Sequence, residues 1–352
     1  MAGLIPHNQP QITPEDREAV DAVLRSGWIA QGEQVLRLEQ HFVERMGGGG
    51  ACAVASGTAA LFLALRGLGV RGGARVAVPT YSCSALLNAV FMAGGSPIVV
   101  DVTPDTFCLD VDGLARQAPG AEFAIAVHAF GAAAPVRRMV EQGLGVVEDC
   151  CQCLGGALSG EPLGTCGAAA VFSFYATKIV TGGQGGLVWS RNPGIVEAAR
   201  DYRQFDGRER YEPRFNLQMT DMQAAMINSQ LSRLERIRCV REEIARTYLR
   251  TMPEFLSAQA DRTPQRMWQR FVVLAPDPLV RDALLKHMKE RGVGCIVPVE
   301  RFELLHRYLA LDPEGYPAAE RLADTTVSLP IHAGMTAAEV ATVSTALSEF
   351  EP

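Results

Sequence analysis

The chain has 352 residues, 48% of them apolar, which suits one or two domains with a large buried core and excludes a disordered or collagen-like chain. Its formal net charge of -6 offers no general basic surface for nucleic acid. Nine cysteines, an odd number without regular spacing, predict a reducing, cytoplasmic setting rather than a disulfide framework. The opening residues carry Pro6, Pro10, Pro14 and several charges with no apolar h-region, so no signal peptide is expected, and the apolar runs are too short and broken for a membrane span.

In chain order, residues 14–24 read as a helix, with Thr13 as N-cap, Pro14 in the first turn and acids just behind it. Gly47 to Gly50 reads as a flexible loop. From 51 to 191, short β-rich runs alternate with helical stretches: strands are predicted at 51–55, 75–79, 97–102, 123–130, 145–149, 169–174 and 185–189, and helices at 59–68, 84–93 and 135–144. This alternation predicts an α/β fold, a mostly parallel sheet flanked by helices on both faces. Leu231, Leu234, Ile237 and Ile244 at helical spacing predict one long linking helix over 220–250. Beyond Pro253, a strand at 271–274, a helix at 279–291 and a closing helix from Ala337 predict a smaller α+β domain. The expected division is a large domain over 1–245 and a small one over 246–352.

Of the 33 basic residues only three are lysines, Lys178, Lys286 and Lys289. Lys286 and Lys289 lie beside His287, Glu290 and Arg291 on a charged helix and read as a solvated face. Lys178 follows the apolar run 169–176 and precedes a glycine-rich turn, 181–186, that permits close backbone approach. A chain that uses arginine nearly everywhere else keeps a primary amine here. Unlike a guanidinium, an amine can lose its proton and attack a carbonyl to form a Schiff base. Snorkelling at a strand end is the plain alternative.

Ser56-Gly57-Thr58 lies between a predicted strand and helix, and such a turn presents N–H groups and hydroxyls suited to a phosphate. Simple N-capping would use the same residues. Asp149 ends the buried run 145–149 at the strand end, where an open parallel sheet binds ligands, and is placed to pair with a cationic ring nitrogen. Asp101 ends another run in the same way, and such acids also cap turns. Together, an amine, a phosphate cup and a carboxylate describe a site for pyridoxal phosphate.

At this point the chain resembles the DegT/DnrJ/EryC1/StrS family of sugar aminotransferases. The likeness runs from Ser26-Gly27-Trp28-Ile29-Ala30-Gln31-Gly32 through Ser56-Gly57-Thr58-Ala59-Ala60-Leu61, Val147-Glu148-Asp149 and Phe172-Ser173-Phe174 with Lys178, to Ser328-Leu329-Pro330. The resemblance implies the fold type I architecture of pyridoxal phosphate enzymes. It implies that Lys178 anchors the cofactor as a Schiff base and shuttles a proton, that Asp149 meets the pyridinium nitrogen and Gln152 the ring hydroxyl, and that Gly57, Thr58 and Ser173 hold the phosphate. Asn216 matches an asparagine that reaches the phosphate across a dimer interface, which implies a homodimer with shared active sites.

Four departures stand out. Cys83 occupies the position where the family stacks an aromatic ring on the cofactor. Gln218 replaces an arginine, Gln184 replaces a glutamate, and Ile296-Val297-Pro298-Val299 replaces a His-Tyr segment. Cys150, Cys151 and Cys153 surround Gln152; in an extended chain their sulfurs would alternate between faces, and with no Cys/His group nearby in sequence they read as small buried thiols rather than metal ligands. His128 either touches the cofactor or only satisfies its own hydrogen bonds.

The resulting expectation is an aminotransferase that takes an amino group from glutamate or glutamine and passes it to a keto sugar, nucleotide-linked, or to a cyclitol ketone. A deoxysugar dehydratase on the same scaffold would carry histidine in place of Lys178. A non-catalytic, cofactor-binding regulator is the rival of another class, motivated by Cys83, Gln184 and Gln218.

Overall fold

The computed structural model describes residues 4–260 and 263–352. Its strands are β1 (Gly50–Val54), β2 (Arg75–Pro79), β3 (Ser96–Val100), β4 (Phe123–Val127), β5 (Gly145–Asp149), the short pair β6 (Ala157–Leu158) and β7 (Glu161–Pro162), β8 (Ala169–Ser173), β9 (Gly186–Ser190), β10 (Ser257–Ala258), β11 (Phe271–Leu274) and β12 (Thr326–Leu329). Seven of them form one sheet in the order β1-β9-β8-β5-β4-β2-β3. Strands β3, β2, β4, β5 and β8 run parallel, whereas β9 lies antiparallel between β8 and β1. The α/β sheet is therefore mostly parallel, as the alternation predicts. Its register sets Val127 beside Asp149 and Asp149 beside Val171, so the carboxyl ends of β4, β5 and β8 share one edge.

Strands of a sheet covered on both faces are apolar throughout, and here Val76 to Val78 and Val146 to Val147 are fully buried. Helices Gly57–Leu68 and Ala85–Met92 cover one face, packing Leu61, Leu65 and Val90 on Val78 and Val147. Val136 and Met139 cover the other face beside Leu322. Each such fully buried Leu, Val or Phe contributes about 1.5–3 kcal/mol. At the β1 end, helices Glu33–Arg45 and Asp221–Leu231 pack Phe42 and Ile227 with Phe172 and Trp189.

Local readings shift where side-chain chemistry outweighs pattern. The first helix spans Pro14–Ser26 with Thr13 as its N-cap residue, and the buried Asp16 carboxylate accepts the Thr13 N–H at 2.9 Å. Gly50 belongs to β1 rather than to a loop. Strand β4 stops at Val127, because Phe130 adopts φ 53° in a tight turn. The single linking helix over 220–250 is in fact two, Asp221–Leu231 and Leu234–Thr251. They part at Arg233, whose backbone leaves the helical region and whose guanidinium reaches back to Asp16 at 2.9 Å. Helices Glu33–Arg45 and Pro193–Arg203 carry no expectation from the sequence.

The second sheet, β10-β11-β12, is antiparallel and packs with Tyr248, Leu284, Leu347 and Ile5. The helix Leu234–Thr251 runs across residue 245, and its Ile244, Ala245 and Tyr248 join this smaller core. The N-terminal segment links the two sheets. Ile5 bridges to Val293, His7 Nε2 lies 2.8 Å from the Ser328 hydroxyl, and Asn8 donates to the Thr177 carbonyl at 2.9 Å. Among the described residues no helix is long and apolar enough to cross a membrane.

Candidate active site

The chain leaves β8 at Ser173 and turns before returning as β9. Phe174 donates to Gly185 at 2.9 Å and accepts from Gly182 N at 3.0 Å and from the Thr181 hydroxyl at 3.1 Å, which closes the segment carrying Lys178. Lys178 is partly buried and lines a cavity of about 250 Å³ together with Cys83, Gln152, Tyr81, Phe130 and Arg270. This cavity opens beyond the carboxyl ends of the parallel strands, the edge where such sheets bind ligands.

Asp149 closes β5 and is 6% exposed, with Oδ1 accepting the Cys151 N–H at 3.0 Å. Burial and then the Asp149 charge push the Cys151 thiol well above its ordinary range, while Lys178 opposes them and Cys83 adds to them. These four groups thus share one neighbourhood. The structure also separates Asp149 from Asp101. The latter accepts the Ala318 and Ala319 N–H groups at 3.0 Å and so caps the helix Pro317–Thr325, leaving it no ligand role.

Ser56 is the N-cap of the helix Gly57–Leu68 and accepts the Ala59 N–H at 3.1 Å. That bond satisfies one of the free N–H groups of the first turn without a ligand. Gly57 adds a second observation: a Cβ there would lie 2.9 Å from Ser173 Cβ and 3.1 Å from its hydroxyl. Glycine keeps open the space between the helix start and Ser173. Thr58 is partly buried in the first turn. Gly186 meets a similar demand, since a Cβ there would stand 2.2 Å from the Ser56 carbonyl oxygen.

Asn216 is exposed on an irregular segment that reaches the sheet edge through the Ala55 N–H to Leu217 carbonyl bond of 2.8 Å. Neither Asn216 nor Gln184 nor Gln218 lines the cavity of its own chain. Pro298 and Val299, from the departing segment after the helix Pro278–Glu290, do line it.

The cysteine reading needs correction. Residues 150–153 form a turn, not an extended strand, and this brings the ligand atoms of Cys150, Cys153 and His128 within 4.8 Å of one another. The imidazole is nonetheless spoken for. Its Nε2 pairs with Glu148 at 3.0 Å, and Nδ1 accepts the Ala134 N–H at 3.0 Å, which places a proton on Nε2; against burial, Cys150 and Glu148 pull the ring's pKa upward. His128 thus satisfies its own hydrogen bonds and does not line the cavity. Glu148 also takes the Gly164 and Cys166 N–H groups; against the opposing effect of burial, these bonds and His128 hold its carboxyl below the usual range.

Residues 10–348 match the DegT/DnrJ/EryC1/StrS aminotransferase family. The chain belongs to that family. It resembles TlmJ, an aminotransferase from Streptoalloteichus hindustanus, with 28% identity, coverage of 98% of each chain and a TM-score of 0.89. DesV from S. venezuelae, solved with a ketimine intermediate, shares 29% identity over 95% of this chain and 94% of its own, with a TM-score of 0.87. Spr1654 from Streptococcus pneumoniae, in its PMP form, has the same fold at 24% identity, with a TM-score of 0.91 and coverage of 98% and 97%.

The chain is thus an aminotransferase of the DegT/DnrJ/EryC1/StrS family, whose cofactor is pyridoxal phosphate. The residues present fit that group: an amine at Lys178, a buried carboxylate at Asp149 and the space that Gly57 leaves beside Ser173. Sequence reasoning missed Tyr81, Phe130 and Arg270 in the cavity wall. Tyr81 is buried, bonded to the Thr326 hydroxyl at 2.9 Å and packed edge-on against Phe130. Burial pushes its phenol upward, so it stays neutral. The motif containing Tyr81 marked only Cys83, and nothing local marks Arg270.

Proposed function

We propose that this aminotransferase moves an amino group from glutamate or glutamine to a nucleotide-linked keto sugar. What carries the reading is the common neighbourhood of the Lys178 amine and the Asp149 carboxylate at the sheet edge, next to the Gly57–Ser173 gap. Bound there, pyridoxal phosphate supplies an electron sink for breaking a C–H bond beside nitrogen. Lys178 would hold it covalently, and its freed amine would move the proton between substrate carbon and cofactor. Asp149 would keep the ring nitrogen protonated, and Gln152, whose Oε1 accepts the Phe130 N–H at 2.7 Å, would approach the ring hydroxyl through its amide. Gly57, Thr58 and Ser173 would take the phosphate. Cys83 would leave one ring face without an aromatic partner.

Asn216, exposed and outside the lining of the Lys178 cavity of its own chain, suits a phosphate contact made in a second copy, so we take the working unit to be a homodimer. Residues 1–245 would form the cofactor-binding body and 246–352 a smaller one closing over it. Free thiols at all nine cysteines are the chemistry of a reducing compartment, which favours the cytoplasm.

A single-turnover experiment tests the function. Purified protein loaded with cofactor should lose its visible absorbance on addition of glutamate or glutamine and regain it when a keto sugar is added. An absorbance that no amino donor alters would favour the cofactor-binding regulator instead. A dehydratase is disfavoured by Lys178 itself, and a cyclitol ketone is the alternative acceptor in the same assay.

A further inference from the structure

Arg270 is the cavity's unexplained cation. It precedes β11, whose pairing with β12 from Phe271↔Leu329 onward fixes the backbone beside it. Its guanidinium carbon lies 5.6 Å from the centre of the Phe130 ring, and Nη1 is buried with no hydrogen-bond partner among the described residues. A buried, unpaired donor on a charged group is costly, so the position calls for an anion that hydrogen-bonds Nη1, which none of the described residues does. Glu303 is the sole carboxylate among the lining residues; its charge reaches Arg270, but it makes no hydrogen bond to Nη1, and its Oε2 accepts the Glu300 N–H at 2.9 Å. Besides Lys178, no other cation lines the cavity.

We propose that Arg270 is a specificity-determining residue that binds the α-carboxylate of the amino donor. The inference rests on the transamination reading and deepens it. Lys178 and Arg270 line one cavity of about 250 Å³, so an anion held by Arg270 shares the small space in which the amine meets its substrate. An α-carboxylate meets that requirement. The phosphates of a nucleotide-linked sugar do not, because the sugar ring separates them from the keto carbon. A planar carboxylate also matches two guanidinium N–H groups, a geometry that lysine cannot offer. The acceptor presents neutral hydroxyls to the same place, so one cavity can take both substrates in turn.

The test uses cofactor-loaded protein, with wild type, Arg270→Gln and Arg270→Lys compared. Titration calorimetry with maleate, an unreactive dicarboxylate, should show binding that weakens roughly 10- to 100-fold in Arg270→Gln, with Arg270→Lys in between. In single-turnover kinetics, wild type should prefer L-glutamate over its α-amide by a similar factor, and Arg270→Gln should lose that preference while keeping the bound-cofactor absorbance. Maleate binding that is absent, or equal in all three proteins, overturns the proposal, as does an undiminished preference for glutamate in Arg270→Gln. If maleate binding depends on Arg270 but no amino donor changes the wild-type absorbance, the carboxylate site stands and the transamination reading falls.

Discussion

Gln152 and Phe130 are joined by a 2.7 Å hydrogen bond in which the side-chain carbonyl takes the backbone N–H of a residue held at φ 53°. A left-handed phenylalanine costs about 1–2 kcal/mol, so the bond stabilises a turn that would otherwise relax and move the cavity wall. Gln152→Leu leaves that N–H unsatisfied, and we expect a loss of about 1–3 kcal/mol in urea unfolding of the cofactor-free protein. Gln152→Glu keeps an acceptor and should recover most of it. Equal stability of wild type and Gln152→Leu would show that the turn holds without the bond.

Gly57→Ala places a methyl group against Ser173, 2.9 Å from its Cβ. The affinity for pyridoxal phosphate should fall about 10-fold or more, the scale of one charge-assisted hydrogen bond. Pyridoxal without its phosphate should bind as it does to wild type, and fluorescence titration of the two separates a phosphate effect from a general loss of the site.

Lys178→Ala and Lys178→Arg should both lack the visible absorbance that pyridoxal phosphate gives wild type. The arginine variant is the sharper control because it keeps the charge yet cannot form the covalent bond. Persistence of the band in either protein would move the anchoring role away from Lys178.

His7 is held neutral to about pH 3, first by burial and then by the neighbouring Arg270, His332 and Arg241 charges. In the unfolded chain it takes a proton near its ordinary value of 6.5. Between these limits the unfolded state binds more protons, so stability falls as pH drops from about 6.5 toward 3. His7→Gln should flatten part of that fall. Urea unfolding at pH 7 and pH 5 reads it, and an unchanged difference between the two pH values would assign the acid sensitivity to other groups.

Much of this molecule is legible in its local chemistry. Alternating apolar runs predict the mostly parallel sheet, because strands buried on both faces must be apolar throughout, and Asp149 is recognisable as the acid at the end of such a run. The rarity of lysine singles out Lys178 as the candidate anchoring amine. Helices are harder to read where tertiary contacts set their limits: Arg233 breaks the expected 220–250 helix at its ion pair with Asp16, a partner far away in sequence.

The local sequence by itself determined the strand-helix alternation, the candidate amine and the acid at the strand end, since each depends on residue type and near-neighbour spacing. Only the tertiary structure decided that Asp101 caps a helix while Asp149 joins the site, that 150–153 is a turn beside a satisfied His128, and that Arg270 faces Lys178 across one cavity. Those relations join segments that meet only when the sheets and helices pack. Burial, not residue identity, is what leaves Nη1 of Arg270 without a hydrogen-bond partner among the described residues.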